Sequence, residues 1–324
     1  MSGAISLNSS ADGGLLARLA DNSAAVRRQL DTASTQASTG RISERYAGLG
    51  VGAKTSLDLR PQLARGVGWQ SNIDGAAGRL GVAQAALQRI GAIAANFYAK
   101  AGALNGLVPS EADSIAAAAT NALNEVGQIL NSKFGDVFVF AGQDTANPPL
   151  PDSSAATVGA AVLASDTAVA PFSATLGAAV PTIEVGEGHR VQVGVLATAN
   201  TLTASAPPTT GSYIRDILRG LATLTTATTG PGLPALAAEV RTRLGGAISA
   251  LGIEAGALGD VQSSLSARRD QLSDVATALT RQVSDAEDVD MAATLTRVSL
   301  LQTQLQASYR LIAGVKDLSL AQFI

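Results

Sequence analysis

The stretch VDMAATLTRVSLLQTQLQASYRLIAGVKDLSLAQFI, residues 289–324, decides the fold of this chain. Its apolar side chains recur at spacings of three, four or seven, which is the seam of a helix that packs against other helices. A second such seam lies near the N-terminus. We therefore predict that the two ends pair and form an assembly interface. The seam residues are Leu16, Leu19, Val26, Leu30, Ala33 and Ala37 at one end, and Leu295, Val298, Leu305, Ile312, Val315 and Leu318 at the other.

The composition suits closely spaced helices. The 324 residues are 46% hydrophobic but only 3% aromatic, so most apolar surface comes from small and aliphatic side chains. A net charge of −3 without any Lys/Arg run argues against nucleic-acid binding, because phosphates require a concentrated cationic surface. The chain has no cysteine, which excludes disulfides and suits export in an unfolded state.

Neither a signal peptide nor a membrane span is apparent. The first residues, MSGAISLNSSADGG, lack a basic segment followed by an apolar one. No apolar run approaches the roughly 20 residues of a membrane span. We therefore expect no membrane partner, and either a cytoplasmic location or export by a route that needs no cleavable signal.

Two more helices are predicted after the N-terminal one. The segment from Gly40 to Gly52 breaks the periodicity and predicts a loop. Helices are then predicted over residues 57–103 and 110–133, the second opened by the capping signature of Ser110 and Asp113. Further helical periodicity follows from residue 213 onward.

The middle of the chain carries the β patterns. The β-branched and aromatic run 137–140 predicts a short strand. Alternation over residues 182–185 and 190–193, on either side of a Gly-Glu-Gly turn, predicts a β-hairpin. Near the other end, residues 284–287 have the composition of a capping box that would open the last helix.

These elements predict a mainly α fold. We expect a long antiparallel helical bundle or coiled coil formed by the N- and C-terminal segments, with a small β-rich outer domain inserted in the middle. Residues 1–40 and 286–324 would form the inner assembly core. Residues 41–149 and 209–285 would form a helical rod layer with a short β segment, and residues 150–208 a small variable outer domain with the hairpin.

Four segments in this order resemble the flagellin family of bacterial flagellar axial proteins, which includes the proteins of the hook-filament junction. The resemblance covers about residues 15–150 and 211–324. The segments are NSAAVRRQLDTASTQASTGRIS (22–43), LDLRPQLARGVGWQSNIDGAAGRLGVAQAALQRI (57–90), VFVFAGQDTANPPL (137–150) and the C-terminal stretch quoted above.

The resemblance implies a structural subunit that assembles by its terminal helices into the hook-filament junction or the filament, for motility. Its implied partners are itself, flagellin, other hook-associated proteins and an export chaperone. It also implies type III export and an extracellular location in the flagellum. A secreted adhesin or type III translocator-like interaction protein, using the Thr/Ala-rich middle for contact, is the alternative.

No motif supports an enzyme, a cofactor or a metal site. Residues 48–55, GLGVGAKT, approach a phosphate-binding loop, but Ala53 replaces its second Gly and no strand is predicted before it. The acidic residues of 285–290 lack the Gly of an EF-hand and coincide with a predicted helix start. His189 is the only histidine, so a multi-histidine metal site is excluded.

Trp69 is the single tryptophan. It is a candidate interface anchor, because Trp is enriched at binding hot spots. Equally, a large side chain on a glycine-containing helix could fill space within the subunit's own helical layer. The sequence leaves both roles open.

Overall fold

The structure, a computed structural model, describes residues 6–104, 109–166, 169–176, 179–202, 210–228 and 230–321. Among them it has long helices and small two-stranded sheets, which confirms the predicted mainly α class. In chain order the elements are α1 (Ser6–Thr39), a 3-10 turn (Tyr46–Gly48), α2 (Gly52–Gly102), α3 (Pro109–Leu130), β1 (Lys133–Phe134), β2 (Val137–Phe138), α4 (Ala155–Ala164), β3 (Thr182–Gly186), β4 (His189–Gln192), α5 (Tyr213–Thr225), α6 (Leu233–Glu287) and α7 (Met291–Ala321).

The chain divides into two compact units. The terminal unit comprises Met1–Ala64 with Val275–Ile324, and the central unit comprises Arg65–Asp274. The boundaries fall inside α2 and α6. The three-layer division predicted from the sequence stays a prediction.

The terminal unit is built on the packing of α1 against α7. Ala33 on α1 and Leu301 on α7 are buried, and the small Ala side chain allows the helix axes to approach closely. α1 ends where Gly40 adopts a positive φ of 72°, a conformation that glycine tolerates best at a helix C-terminus. The predicted pairing of the two terminal segments is thus present within one chain.

The start of α7 differs from the prediction. α6 continues through Glu287, and α7 begins at Met291. Asp290 caps α7, because its Oδ1 accepts hydrogen bonds from the backbone N–H groups two and three residues on, at 2.9 and 3.0 Å. Ser284 donates its hydroxyl to the aspartate four residues later. The capping box predicted at residues 284–287 is therefore wrong, since the Glu287 side chain is held elsewhere.

The predicted second and third helices are present with small shifts. α2 starts earlier than expected and continues through Pro61. α3 begins at Pro109, so Ser110 lies inside the first turn and is not the cap that the sequence predicted. Proline suits this first position, because its missing N–H would have no partner within the helix.

The central unit contains a continuous hydrophobic core. It is formed by the buried faces of α2, α3, α5 and α6 together with the segment after β2. Each large aliphatic side chain buried in this way contributes about 1.5–3 kcal/mol. Representative fully buried members are Leu80, Leu87, Ile90, Leu123, Leu130, Phe140, Ile214 and Ile217.

The predicted hairpin is formed by β3 and β4. The two strands pair antiparallel, with Ile183 opposite Val191, and the turn uses Gly188 at a φ of 71°. Side chains from α2 and α6 donate hydrogen bonds to the main chain of this hairpin. Asn72 Nδ2 donates to the carbonyl of Glu184 at 3.2 Å, and Arg268 Nε donates to the next carbonyl at 3.0 Å.

A short helix, α4, lies within residues 150–208, where the sequence predicted a small β-rich outer domain with a hairpin and no helix. Its C-terminal carbonyls are satisfied by arginines from α5. Arg219 Nη1 donates to the carbonyl of Val162, and Arg215 Nη2 donates to the carbonyl of Ser165 at 2.6 Å. Cations near a helix C-terminus also interact favourably with its dipole. The prediction missed α4 because its stabilising partners lie about fifty residues away.

Within the described residues, α6 is long and apolar enough to cross a membrane by length and composition alone, with a mean hydropathy of 1.2 over 18 residues. Helices packed in protein cores meet the same criterion, so this is weak evidence. Val240 and Leu244 of α6 belong to the core of the central unit. The predicted lack of a membrane partner stays a prediction.

Candidate assembly interface

The predicted seam residues lie along α1 and α7 with different exposures. Leu19, Val26 and Leu30 of α1 are half-buried, as are Val298, Leu305 and Ile312 of α7. Leu295, by contrast, is 54% exposed. The side chains of Leu16, Val315 and Leu318 lie outside the part of the chain that the structure describes.

α7 carries apolar side chains that α1 does not cover. Leu300 and Leu311 are 65% and 60% exposed. They are eleven residues apart, which is about three helical turns, so they share a face. Leu295 and Tyr309 are fourteen residues apart, about four turns, and form a second exposed stripe. A helix that is apolar on several sides requires several packing neighbours.

The turn between α6 and α7 is anchored by a buried carboxylate. Glu287 is 5% exposed and forms an ion pair with Arg60 of α2, with 2.7 Å between Arg60 Nε and Glu287 Oε1. Ser56 Oγ donates to the same carboxylate. The hydrogen bonds from Arg60 and then Ser56 lower the pKa of the Glu287 carboxyl from 4.5 to about 2. Glu287 therefore remains ionised throughout the neutral range.

Backbone hydrogen bonds complete this anchor. The N–H of Ile42 donates to the carbonyl of Glu287 at 2.6 Å, and the N–H of Val289 donates to the carbonyl of Gly40 at 2.9 Å. The chain leaving α1 is thus joined to the chain entering α7. The anchor fixes the C-terminal end of α1 and the N-terminal end of α7 relative to each other.

Trp69 lies on α2 and is half-buried against the hydrophobic core of the central unit. The packing role proposed for it therefore has direct structural contacts. Part of its ring remains accessible, and its role as an interface anchor stays a prediction.

The structure brings together no chemical site at the other candidate residues. His189 is exposed at the start of β4. Residues 48–55 form a loop and the start of α2. In the part of the chain that the structure describes, no three His, Asp or Glu side chains converge to hold a metal ion.

Comparison with known proteins identifies the C-terminal helices. Residues 242–324 match the family model of the bacterial flagellin C-terminal helical region. This part of the chain is similar to the flagellin helical region. The match confirms the family resemblance predicted from the sequence, and with it a structural subunit of the extracellular bacterial flagellum. The adhesin or translocator alternative is not favoured.

A solved structure shares the fold of this chain, and a second one was aligned with it. A protein assigned as a flagellar hook-associated protein from Vibrio parahaemolyticus aligns with a TM-score of 0.56 at 12% identity, covering 72% of this chain and 96% of that one. FlgL of Xanthomonas campestris aligns with a TM-score of 0.43 at 14% identity, covering 73% and 99%. No curated protein matches the chain.

Proposed function

We propose that the α1–α7 pair docks onto the equivalent helices of neighbouring subunits, and that this assembly forms the junction between the hook and the filament. The observation that carries the proposal is the exposed apolar surface of α7, which includes Leu300 and Leu311. The hook-associated assignment of the Vibrio relative favours the junction over the bulk filament.

The physical argument rests on the two apolar stripes of α7. One face is covered by α1, and both remaining stripes need a neighbour. Burying a Leu side chain contributes about 1.5–3 kcal/mol, so several such residues in each subunit supply a substantial driving force. Contacts between two different faces propagate head to tail unless a partner ends them, which is the geometry of a tubular assembly.

Export through the type III route, without a cleaved signal and with the help of a chaperone, belongs to the same proposal. A chain without cysteine forms no disulfide that would have to be broken before it is threaded through a narrow channel in an unfolded state. The exposed apolar stripes of α7 are the surface that a chaperone would cover before assembly.

The test replaces exposed apolar side chains of α7 by polar ones of similar size, so that the fold is kept. In the double variant Leu300→Gln and Leu311→Gln, we expect full-length protein to stay monomeric where wild-type protein binds purified hook fragments in electron micrographs and sedimentation. The matched control is Val67→Gln on α2, since Val67 is 59% exposed but belongs to the central unit. We expect the control to assemble normally.

Three outcomes separate the alternatives. Binding of wild-type protein to hook ends alone supports the junction role. Long filaments from wild-type protein would make it a bulk filament subunit instead. Normal assembly of the Leu300 and Leu311 variant, or of a variant lacking residues 286–324, would refute docking through α7.

A further inference from the structure

A polar groove of about 290 Å³ runs along the α1–α7 pair. Ala25 and Ala33 line it from α1, and their small side chains leave the space between the helices. Arg28 and Gln29 of α1 and Arg297 of α7 also line it. None of the lining residues is acidic, so the groove offers hydrogen-bond donors and positive charge.

The charge of this groove is not neutralised by the residues that the structure describes. Neither the Arg28 nor the Arg297 guanidinium forms an ion pair with any residue that the structure describes. From Met291 to Gly314, α7 carries Arg297 and Arg310 but no Asp or Glu. The facing part of α1, residues 22–39, adds two arginines and one aspartate. The paired segments therefore present excess positive charge.

The complementary surface lies at the α6–α7 turn. Asp285, Asp288 and Asp290 are all exposed within six residues. Asp288 accepts a hydrogen bond from Ser284, and Asp290 caps α7. Asp285 forms no hydrogen bond or ion pair with a described residue. Its carboxylate is therefore available to a partner.

We infer that the groove of one subunit receives the acidic α6–α7 turn of a second copy, with the Asp285 carboxylate between Arg28 and Arg297. Guanidinium groups bind carboxylates through paired, charge-assisted hydrogen bonds, which fix orientation as well as adding energy. Groove and turn are different surfaces of one unit, so the contact is head to tail and continues from subunit to subunit. This inference rests on the proposed assembly and specifies which surfaces of neighbouring subunits contact each other.

The first test is a charge swap in the full-length protein. We expect Arg28→Glu and Asp285→Arg each to raise the concentration needed for assembly on hook fragments by about tenfold. The variant that combines both changes with Arg297→Glu should recover most of the loss, because both charge pairs are then restored with opposite polarity. Arg27→Glu is the matched control. Arg27 immediately precedes Arg28 on α1 and is exposed, but it does not line the groove.

The second test uses the absence of cysteine. A subunit with Arg28→Cys and a second subunit with Asp285→Cys are mixed during assembly and treated with a short bismaleimide, which should link them into a covalent dimer. The control mixes Arg27→Cys with Asp285→Cys, and we expect no covalent dimer from it. Circular dichroism of each variant verifies the helices. Assembly of Arg28→Glu at the wild-type concentration, failure of the swap to recover it, or no selective dimer would overturn the inference. If wild-type protein itself fails to assemble, the proposed function fails first.

Discussion

Replacing Glu287 by Gln tests whether the buried ion pair fixes the turn between α6 and α7. The pKa of the Glu287 carboxyl falls from 4.5 to about 2 in the folded protein, which corresponds to about 3 kcal/mol. The Arg60 side chain is 42% exposed, so solvent screening lowers this to about 2 kcal/mol. Gln keeps the size of the side chain and removes its charge.

Hydrogen exchange measures this loss at the anchor itself. The amides of Ile42 and Val289 both donate across the turn, so their protection reports its opening. A loss of about 2 kcal/mol corresponds to roughly 30-fold faster exchange at neutral pH. The control is Asp58→Asn, which removes an exposed charge from α2 between the two Glu287 partners. We expect its exchange to match the wild type.

The same pair predicts a pH dependence with a definite sign. Because the folded-state pKa of Glu287 lies below its ordinary value, its stabilisation is complete above about pH 5 and is lost as the pH falls toward 2. Wild-type protection, corrected for intrinsic exchange, should therefore fall over this range, while Glu287→Gln loses less. Exchange of Ile42 and Val289 in Glu287→Gln within about threefold of wild type at neutral pH would refute the reasoning.

Four further changes probe the fold. Gly127→Ala should destabilise the central unit by about 1–2 kcal/mol, because the added Cβ would lie 2.7 Å from the backbone oxygen of Ser153. Gly81→Ala should stabilise the central unit by about 0.5–1 kcal/mol, because its added Cβ meets nothing within 4 Å. Urea unfolding followed by tryptophan fluorescence measures both changes. Equal effects of the two would contradict this. Asp290→Ala should cost about 1 kcal/mol and speed amide exchange in the first turn of α7 roughly fivefold, whereas unchanged exchange would exclude its capping role. Arg268→Ala should speed exchange across the β3–β4 hairpin about tenfold, and a hairpin as protected as before would show the bond to be dispensable.

Apolar periodicity predicts the long helices and the terminal pairing well, because a seam repeated over many turns has few other structures that bury it. Helix ends are predicted less well. Residues 284–287 have the residue types of a capping box, but the Glu287 carboxylate binds Arg60, more than two hundred residues away in the chain. Such a tertiary partner leaves no local signal.

The proposed assembly surface can be predicted only in part from the sequence, for a related reason. Leu300 and Leu311 lie off the seam that pairs α7 with α1, and their spacing marks them as one face only once the orientation of α7 is known. Arg28 and Arg297 carry no local motif at all, since the groove exists only where the two helices meet. Pairing of distant segments, and not the residue types, creates this site.

The attachment of the hairpin has an evolutionary consequence. Asn72, Arg79 and Arg268 all bond to main-chain carbonyls of the hairpin segment, at Glu184, Val193 and Val185 respectively. Every residue type supplies a carbonyl, so these attachments constrain the strand side chains only at Gly186, where an added Cβ would clash with Arg268 Nη2. The sequence at the outward-facing positions of β3 and β4 can therefore change during evolution. Such changes would alter the surface that the hairpin exposes outside the cell without breaking its hydrogen bonds to the helices.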